Sequence, residues 1–420
     1  MHDLFQSDLE QFSKIKNASR KIAEFYGFER IETPILEFSA IFEKGTGEFT
    51  DIVEKEMYTF KTKGGDILTL RPEYTPSIAR AYNQHGMQNL PKPVKFWYFG
   101  PVFRHERPQA GRYRQFHQVG FESLGVSHPV IDAIIIQVFY GILKSLGFKK
   151  LSVELNCIGD SQCRNYFKKS LTSYLRAKSS SLCADCKNRL KKNPLRVLDC
   201  KEEKCERIKK GAPQILDHLC KECHDHFKGL LEFLEELEIP YNLNPYLVRG
   251  LDYYTKTVFE VIENSDDGKA QGTLMGGGRY DGLARILGGR DVPACGVAGG
   301  VERIVNLMQT REKKPSESKQ DSAGHAKIFL AQLGQLAKRK SMKLFEEFRA
   351  AKIPVAESFS KDSLKTQLRT ADKMGIRWVL IFGQKEALED FITLRDMETG
   401  TQKEIKLDKV VEEVKKLIKK

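Results

Sequence analysis

Polar side chains that suit a binding pocket are concentrated in one short stretch, LVRGLDYYTKTVFE at residues 247–260. Its first half contains Arg249, Asp252, Tyr253 and Tyr254, and its β-branched and aromatic composition predicts a strand throughout. Cationic, anionic and phenolic groups along one strand can line a pocket for a charged ligand. Arginine and tyrosine also lie at the rim of many half-buried sheets, so this stretch alone leaves both interpretations open.

Two further arginines occur in motifs that suit anion binding. Arg104 lies in FRHERPQAGRYRQFHQVGFE at 103–122, and Arg303 lies in ACGVAGGVERIV at 294–305. A guanidinium can hold a phosphate or carboxylate through two parallel hydrogen bonds. The glycine pair before Arg303 predicts a helix whose first turn favours an anion. Ordinary alternatives remain, because Arg104 can lie at the exposed tip of a hairpin and glycine pairs also allow tight strand–helix packing.

Together with GGGRYDGL at 276–283, these motifs closely resemble the histidyl-tRNA synthetases, a family of class II aminoacyl-tRNA synthetases. The resemblance implies a homodimeric ligase that makes histidyl-adenylate from L-histidine and ATP, with Mg²⁺ assisting ATP, and then transfers the histidyl group to histidine tRNA. The implied fold is an α+β catalytic domain with a mostly antiparallel sheet, a helical insertion and a C-terminal α/β anticodon-binding domain.

The resemblance also implies roles for individual charged side chains. Arg104, in the second class-defining motif, grips the α-phosphate and the substrate carboxylate, and Glu106 faces adenine. Arg303, in the third motif, contacts the γ-phosphate. Arg249 acts on the α-phosphate, where other class II enzymes commonly use magnesium. The three arginines are the expected catalytic residues, and with Glu106 they form the expected ATP site.

Histidine selectivity requires both a donor and an acceptor, because a neutral imidazole carries one N–H and one acceptor nitrogen. In the family pattern Glu122 and Tyr254 hold the two ring nitrogens, with Tyr280 close by. Polar groups left unpaired by a wrong amino acid are the source of such selectivity. Alternatives remain, since Glu122 can pair with a surface lysine and Tyr280 can shape a glycine turn. The complete set expected to bind histidine is Glu73, Tyr74, Thr75, Gln118, Glu122, Tyr253, Tyr254 and Tyr280.

The substrate amino group needs acceptors, which Glu73, Thr75 and Gln118 supply in the family pattern. Tyr74 is a departure from that pattern, because many relatives carry glycine at this position. We expect its larger side chain to reshape access to the amino-group site.

Contacts with tRNA are expected from the loop of the second motif and from the net charge. Arg112 and Arg114 resemble residues that face the acceptor end of the tRNA, whereas His105 and His117 fit framework histidines better than catalytic ones. The net charge of +13 favours a polyanionic partner. Charge alone does not decide this, because many basic proteins bind no nucleic acid.

Cysteine spacing raises the question of a metal site. Six of the nine cysteines lie between residues 183 and 223, and two CxxC pairs are formed by Cys183, Cys186, Cys220 and Cys223. Such pairs can supply four thiolates to one tetrahedral zinc ion. The alternative, which we favour at this point, is that the cysteines are small buried hydrophobic residues. The synthetases that the chain resembles do not as a rule need zinc.

The 420 residues predict two or three domains. We expect a catalytic domain at 1–310, interrupted at about 163–237 by a helical insertion rich in lysine and cysteine, and an α/β domain at 325–420. Between them, residues 311–324 have no apolar side chain larger than alanine or proline, which predicts a linker.

Local patterns predict several elements of the catalytic domain. Apolar spacing predicts an amphipathic helix at 3–25 that ends at Gly27. Residues 28–37 fit a strand whose proline suits an edge or a dimer interface, and this helix and strand resemble the dimer-building first motif. Family members usually carry a basic, glycine-containing segment before the helix, and the sequence begins at Met1 without it. Residues 55–124 fit strands joined by turns, and the sheet is expected to resume at Tyr246.

Composition limits the location and leaves two rival functions. With 40% hydrophobic and 30% charged residues, no membrane-length apolar run and no signal-peptide pattern, we expect a cytoplasmic protein without a membrane partner. One rival is a non-catalytic histidine-binding paralogue similar to the regulatory subunit of ATP phosphoribosyltransferase. Such paralogues typically lose the phosphate-binding arginines and the C-terminal module, which this sequence keeps. The other rival is a zinc-stabilised RNA-binding protein.

Overall fold

The computed structural model describes residues 3–47, 50, 52–106, 113–198, 200, 202–264, 270–312 and 326–418. Contacts divide the chain into two compact units, Met1–Lys314 and Pro315–Lys420. Residues 311 and 312 of the expected linker are the end of a helix, and residues 313–324 lie outside the described part of the chain.

The first unit is built on a large, mostly antiparallel sheet. The described strands of this unit are β1 (Glu29–Arg30), β2 (Leu36–Phe38), β3 (Tyr58–Lys61), β4 (Ile67–Leu70), β5 (Val94–Phe103), β6 (Gln115–Leu124), β7 (Leu151–Cys157), β8 (Tyr241–Leu243), β9 (Thr255–Asn264), β10 (Ala270–Arg279) and β11 (Ala294–Gly300). Eight of them form one sheet in the order β1-β5-β6-β11-β10-β9-β7-β8. Among the described strands of this sheet, only the two edge pairs are parallel, β1 with β5 and β8 with β7. All the other pairs are antiparallel, which confirms the predicted class of sheet. Strands β2, β4 and β3 form a separate antiparallel sheet.

Helices cover one face of the large sheet. The described helices of this unit are α1 (Gln6–Tyr26), α2 (Ser39–Thr46), α3 (Thr75–Gln84), α4 (Val130–Ser145), α5 (Ser161–Ala177), α6 (Ala184–Lys192), α7 (Glu203–Lys209), α8 (Lys221–Glu236), α9 (Leu283–Ile286) and α10 (Val301–Glu312). Ile15 of α1, Ile135 of α4 and Ile304 of α10 are fully buried in one apolar core with Phe121 of β6. Because side chains alternate along a strand, Glu122, the next residue, points to the opposite face.

The predicted first helix is confirmed, but three other local predictions were wrong. Residues 75–84 form α3, because Pro76 stands in the first turn, where its fixed φ favours a helix. Residues 28–37 form two short strands in different sheets, since Pro34 between them has no backbone donor.

The third error concerns residues 247–254, which are irregular rather than extended; β9 begins only at Thr255. Side chains from other elements satisfy the backbone of this segment. Asn156 donates to the carbonyl of Leu247 at 2.9 Å, and Arg164 donates to that of Tyr254 at 2.8 Å. These bonds replace the ladder that a strand would need.

The helical insertion consists of α5–α8 and lies between β7 and β8. It has an apolar core of its own, which includes Phe167, Leu171 and Leu175 of α5. Besides Arg164 of α5, two further side chains attach it to the irregular segment: Asn193 donates to Asp252 at 3.3 Å, and Arg196 donates to the carbonyl of Gly250 at 3.4 Å.

The second unit is a small α/β domain, as predicted. It consists of β12 (Ile328–Gln332), α11 (Gln335–Ala350), β13 (Val355–Glu357), α12 (Leu364–Lys373), β14 (Trp378–Phe382), α13 (Gln384–Leu388), β15 (Phe391–Asp396), β16 (Gln402–Lys406) and α14 (Val410–Ile418). The strand order is β13-β12-β14-β15-β16, with parallel pairs on the β13 side and antiparallel pairs on the β16 side. In either unit, no helix of the described residues has both the length and the apolar character needed to cross a membrane.

Candidate active site

A cavity of about 840 Å³ lies against the face of the large sheet that carries Glu122. Its walls come from β6, β9, β10, β11, α10, the irregular segment 247–254 and the insertion. The structure brings Arg104, Arg249 and Arg303 to this single cavity from three distant parts of the sequence. Three cations around one space favour a ligand with several negative charges.

Arg249 is fixed by an ion pair with Glu260 of β9. The other oxygen of this carboxylate accepts a hydrogen bond from Thr273 Oγ1 at 2.6 Å. Burial alone would lower the pKa of Arg249, but the charge of Glu260 raises the pKa above its ordinary value. The guanidinium lies over Gly276 of β10, where any β-carbon would overlap it. The glycine is therefore required by the position of the cation.

Arg104 and Arg303 are positioned by backbone features. Arg104 Nε donates to the carbonyl of Pro72 at 3.0 Å, and its guanidinium lies 5.5 Å from the ring centroid of Phe116. Arg303 stands in the first turn of α10, where the helix dipole also favours an anion. Its side chain lies beside Gly272 of β10.

Glu122 is buried in a cluster of hydroxyl groups. One carboxylate oxygen accepts from Thr75 Oγ1 at 2.9 Å and lies 3.4 Å from Tyr98 Oη, and the other accepts from Tyr280 Oη at 2.5 Å. Burial raises the pKa of Glu122 to about 8, although the hydroxyl donors oppose this. Near pH 7 the side chain is therefore mostly a neutral acid, which can donate as well as accept a hydrogen bond.

Glu73 forms a second buried acidic position. Its carboxylate accepts from Thr46 Oγ1 at 3.0 Å and from Tyr253 Oη at 2.8 Å. Burial raises the pKa of Glu73, and the nearby charge of Arg104 opposes that rise. A carboxylate has about four acceptor sites, so these two hydrogen bonds leave room for a ligand donor.

Most of the other predicted histidine-binding residues also line the cavity. Tyr254 contributes its ring, which lies 5.9 Å from the guanidinium carbon of Arg249. Gln118 contributes an amide oxygen that is buried without a hydrogen-bond partner among the described residues. Such an acceptor suits a ligand N–H.

The structure does not bring Tyr74 to the cavity. Its ring stacks on Tyr98 with centroids 4.1 Å apart, and its hydroxyl accepts from Arg71 at 2.5 Å. The residue is buried because it faces the core behind the pocket. The structure therefore does not support the expectation that Tyr74 binds histidine or reshapes access to the amino-group site.

The residues expected near adenine and tRNA are only partly described. Glu106 lines the cavity, and Arg114 is exposed immediately before β6 begins. Arg112 lies outside the described residues. His117 is not among the described residues that line the cavity. Its ring lies 2.9 Å from Glu302 and packs edge-on against Phe12, as expected for a framework histidine.

Comparison with known proteins identifies the family. Residues 1–304 match the family model described as histidyl-tRNA synthetase. This chain belongs to the histidyl-tRNA synthetase family. Residues 327–417 match the anticodon binding domain, so the match to synthetase modules continues through the second unit.

Relatives of this synthetase family match the chain over almost its full length. It is 43% identical over 417 residues to the histidine–tRNA ligase of Desulfitobacterium hafniense, covering 99% of this chain and 97% of the relative. It is 42% identical to that of Dehalococcoides mccartyi, covering 99% and 98%. The crystal structure of apo S. aureus histidyl-tRNA synthetase is 32% identical, has a TM-score of 0.77 and covers 98% of this chain and 97% of that one.

Sequence reasoning missed several residues of the synthetase cavity. Glu260, the partner of Arg249, was not singled out, although it is an acidic residue flanked on both sides by apolar residues in VFEVI at 258–262, and that pattern could have revealed it. Leu198, Glu206 and Lys209 of the insertion also line the cavity. No local pattern in the sequence indicates that a segment so rich in lysine reaches the site.

The proposed pairing of the two CxxC motifs at one metal is wrong. Cys183 and Cys186 lie with Cys200 and Cys205, whereas Cys220 and Cys223 lie with Asp160 and Cys163. The motifs separate because they open different helices, α6 and α8, each of which meets other partners.

Proposed function

We propose that this chain is a histidine–tRNA ligase that forms histidyl-adenylate from L-histidine and ATP and then charges histidine tRNA. The observation that carries the proposal is the convergence of Arg104, Arg249 and Arg303 on one cavity. Thr75 and Tyr280, which also line this cavity, donate hydrogen bonds to the buried Glu122 behind them. The family match and the relatives at 42–43% identity support it.

The arginines supply the electrostatic part of catalysis. In this proposal Arg104 holds the α-phosphate and the histidine carboxylate together, Arg303 holds the γ-phosphate, and Glu106 contacts adenine. Arg249 faces the α-phosphorus, where negative charge grows as the carboxylate attacks and pyrophosphate leaves. Because Glu260 already fixes Arg249, little reorganisation is needed at that moment.

The acidic positions recognise the amino acid. Glu122 and Tyr254 take the two imidazole nitrogens, while Glu73 and Gln118 accept from the amino group. A neutral Glu122 can still serve the imidazole, because either partner can carry the shared proton. A substrate without ring nitrogens would leave these buried groups unpaired, which is strongly unfavourable.

Magnesium is proposed as a companion of ATP. Two carboxylates of the cavity are already engaged, Glu260 with Arg249 and Glu302 with His117. The residues therefore fit an ion held mainly by phosphate oxygens and water, as is usual for Mg²⁺ at nucleotide sites, better than an all-protein cage. When bound, the ion neutralises phosphate charge.

The remaining partners follow from the two units and from exposed apolar residues. The second unit is proposed to bind the anticodon, and Arg112 and Arg114 the acceptor end. Phe25, Leu36 and Phe38 are large hydrophobic residues with 84%, 47% and 55% of their surface exposed. They lie in and after α1, the region expected at a dimer interface, so we propose a homodimer. We also propose a cytoplasmic location.

The deciding experiment is histidine-dependent exchange of labelled pyrophosphate into ATP, followed by charging of purified histidine tRNA. We expect both reactions, and exchange that needs histidine specifically. A protein that binds histidine but shows no exchange would instead be the non-catalytic paralogue. A protein that binds RNA without binding histidine would support the RNA-binding alternative.

A further inference from the structure

The insertion gathers seven of the nine cysteines into two compact groups. The internal cluster consists of Cys183, Cys186, Cys200 and Cys205, and the basal cluster consists of Asp160, Cys163, Cys220 and Cys223. Within each cluster the potential ligand atoms all lie within 4.8 Å of one another. Each cluster thus offers four ligand atoms around one point.

One separation between ligand atoms in each cluster fits tetrahedral zinc. Zinc–sulfur bonds of about 2.3 Å place two sulfurs of a tetrahedral site about 3.8 Å apart, and a zinc–oxygen bond of about 2.0 Å gives about 3.5 Å between oxygen and sulfur. Cys183 Sγ and Cys200 Sγ are 3.9 Å apart in the internal cluster. Cys220 Sγ and Asp160 Oδ2 are 3.5 Å apart in the basal cluster.

Helix starts place the ligands and orient donors toward their sulfurs. Three helices carry a ligand at the N-cap and another three residues later: Asp160 and Cys163 for α5, Cys183 and Cys186 for α6, Cys220 and Cys223 for α8. The amide of Cys186 donates to Cys183 Sγ at 3.3 Å, and that of Cys220 donates to Cys163 Sγ at 3.0 Å. Such donors stabilise thiolates and orient metal ligands.

Simple burial of small hydrophobic residues explains these clusters poorly. Asp160 is a half-buried polar residue whose Oδ1 caps α5 by accepting from the amide of Cys163 at 2.8 Å, while its Oδ2 lies 3.5 Å from Cys220 Sγ. Capping accounts for the first oxygen, and apolar packing gives no reason for the second to lie among three sulfurs. All nine cysteines are free thiols in the structure, and a disulfide would join only two sulfurs at about 2.0 Å.

We propose that each cluster binds one structural zinc ion, the internal cluster through four thiolates and the basal cluster through three thiolates and one carboxylate. The basal ion would join the start of α5 to the start of α8, where the insertion leaves and rejoins the sheet. The internal ion would fix α6 and α7, and Glu206 and Lys209 of α7 line the cavity. This inference does not depend on the proposed catalytic roles.

Metal analysis of the full chain, purified without chelator and with added zinc, is the first test. We expect about two equivalents of zinc per chain, since each cluster supplies one full ligand set. The paired variant Cys183→Ser/Cys186→Ser should retain about one equivalent, and so should Cys220→Ser/Cys223→Ser. The matched control is Cys295→Ala, a buried cysteine of β11 outside both clusters, which should retain both ions.

Several results would overturn the proposal. One equivalent or less in the unaltered chain, or loss of all zinc from either paired variant, would point to a single shared site or to none. If a paired variant does not fold, cobalt titration of the unaltered metal-free chain replaces it. Two successive sets of visible cobalt bands, one typical of four sulfurs and one of three sulfurs and an oxygen, are expected; one set contradicts two sites. Asp160→Asn should alter only the second set.

Discussion

Arg249 and Glu260 form an ion pair inside the cavity, with the guanidinium lying across Gly276 of the neighbouring strand. Both side chains are about one-fifth exposed, so a bound ligand can still reach the cation. The partner fixes the charge before substrate arrives, and a fixed charge stabilises a transition state more than a mobile one does.

Removal of Arg249 should impair chemistry more than binding. For Arg249→Ala we expect the rate constant of adenylation to fall at least about a hundredfold, with a much smaller change in the dissociation constant of ATP. Pyrophosphate exchange and ATP titration measure the two quantities. Arg285→Ala, at an exposed arginine of α9, is the control and should leave both unchanged. A normal exchange rate in Arg249→Ala would exclude this residue from catalysis.

A methyl group at position 276 should displace the same cation. In Gly276→Ala the new β-carbon overlaps the guanidinium of Arg249, so we expect exchange to slow by about tenfold to a hundredfold through misplacement of the charge. Gly64→Ala is the matched control, because its nearest neighbour would be 3.7 Å away in the β3–β4 hairpin. Equal rates in the two variants would show that the position of Arg249 is not critical.

Loss of the Glu122 carboxyl should act on one substrate. We expect Glu122→Gln to weaken histidine binding by about tenfold or more while ATP binding changes little, because the amide cannot reproduce the proton sharing with an imidazole. Equilibrium dialysis with each ligand separates the effects. Glu106→Gln should weaken ATP binding more than histidine binding. Equal weakening of both ligands by Glu122→Gln would argue against an imidazole contact.

The stability of the ligand-free protein should depend on pH through Glu122. Its folded-state pKa is about 8 and its ordinary value is 4.5, so the folded protein holds a proton that the unfolded chain releases. The stabilisation that this proton contributes to the free energy of unfolding is fully present below pH 4.5. It is lost as the pH rises toward 8, at up to about 1.4 kcal/mol per pH unit. Urea unfolding at a series of pH values gives the free energy of unfolding as a function of pH. Between pH 4.5 and 8 this free energy should fall with rising pH more steeply in the unaltered chain than in Glu122→Gln. Parallel curves would contradict the raised pKa.

Tyr74 should matter for stability and not for histidine. In Tyr74→Phe the buried guanidinium of Arg71 loses a hydroxyl partner, which should cost about 1–3 kcal/mol in the free energy of unfolding. The dissociation constant of histidine should change by less than about threefold, a small difference on the free-energy scale. Denaturant titration and histidine binding test both parts. A large loss of histidine affinity without destabilisation would return Tyr74 to the binding site.

Sequence patterns predicted the parts of the fold that depend on local periodicity. The apolar spacing before Gly27 gave α1, and Gly27 ends it with a positive φ of 69°. By contrast, the aromatic and β-branched residues of 247–254 have strand propensity, yet Asn156 and Arg164 hold this backbone in an irregular course. Propensity cannot anticipate such bonds, because their donors are about 90 residues away in the chain.

In the cavity too, local motifs revealed some residues, and others became apparent only from the three-dimensional packing. Its three arginines lie in recognisable motifs, but Glu260 has meaning only once Arg249 lies beside it. The cysteines are the clearest case: spacing revealed two pairs, whereas the partners of each pair depend on how α5–α8 pack. Packing of helices in three dimensions is not encoded in the spacing of one motif.

The residue at position 276 and the residue at position 249 should change together in evolution. So long as a guanidinium occupies the space above β10, selection must keep glycine there. A descendant that abandoned adenylation would be released from that restriction and could accumulate larger residues at 276. Divergent copies of this gene that have lost Arg249 should therefore reveal their history by a bulky replacement of the glycine.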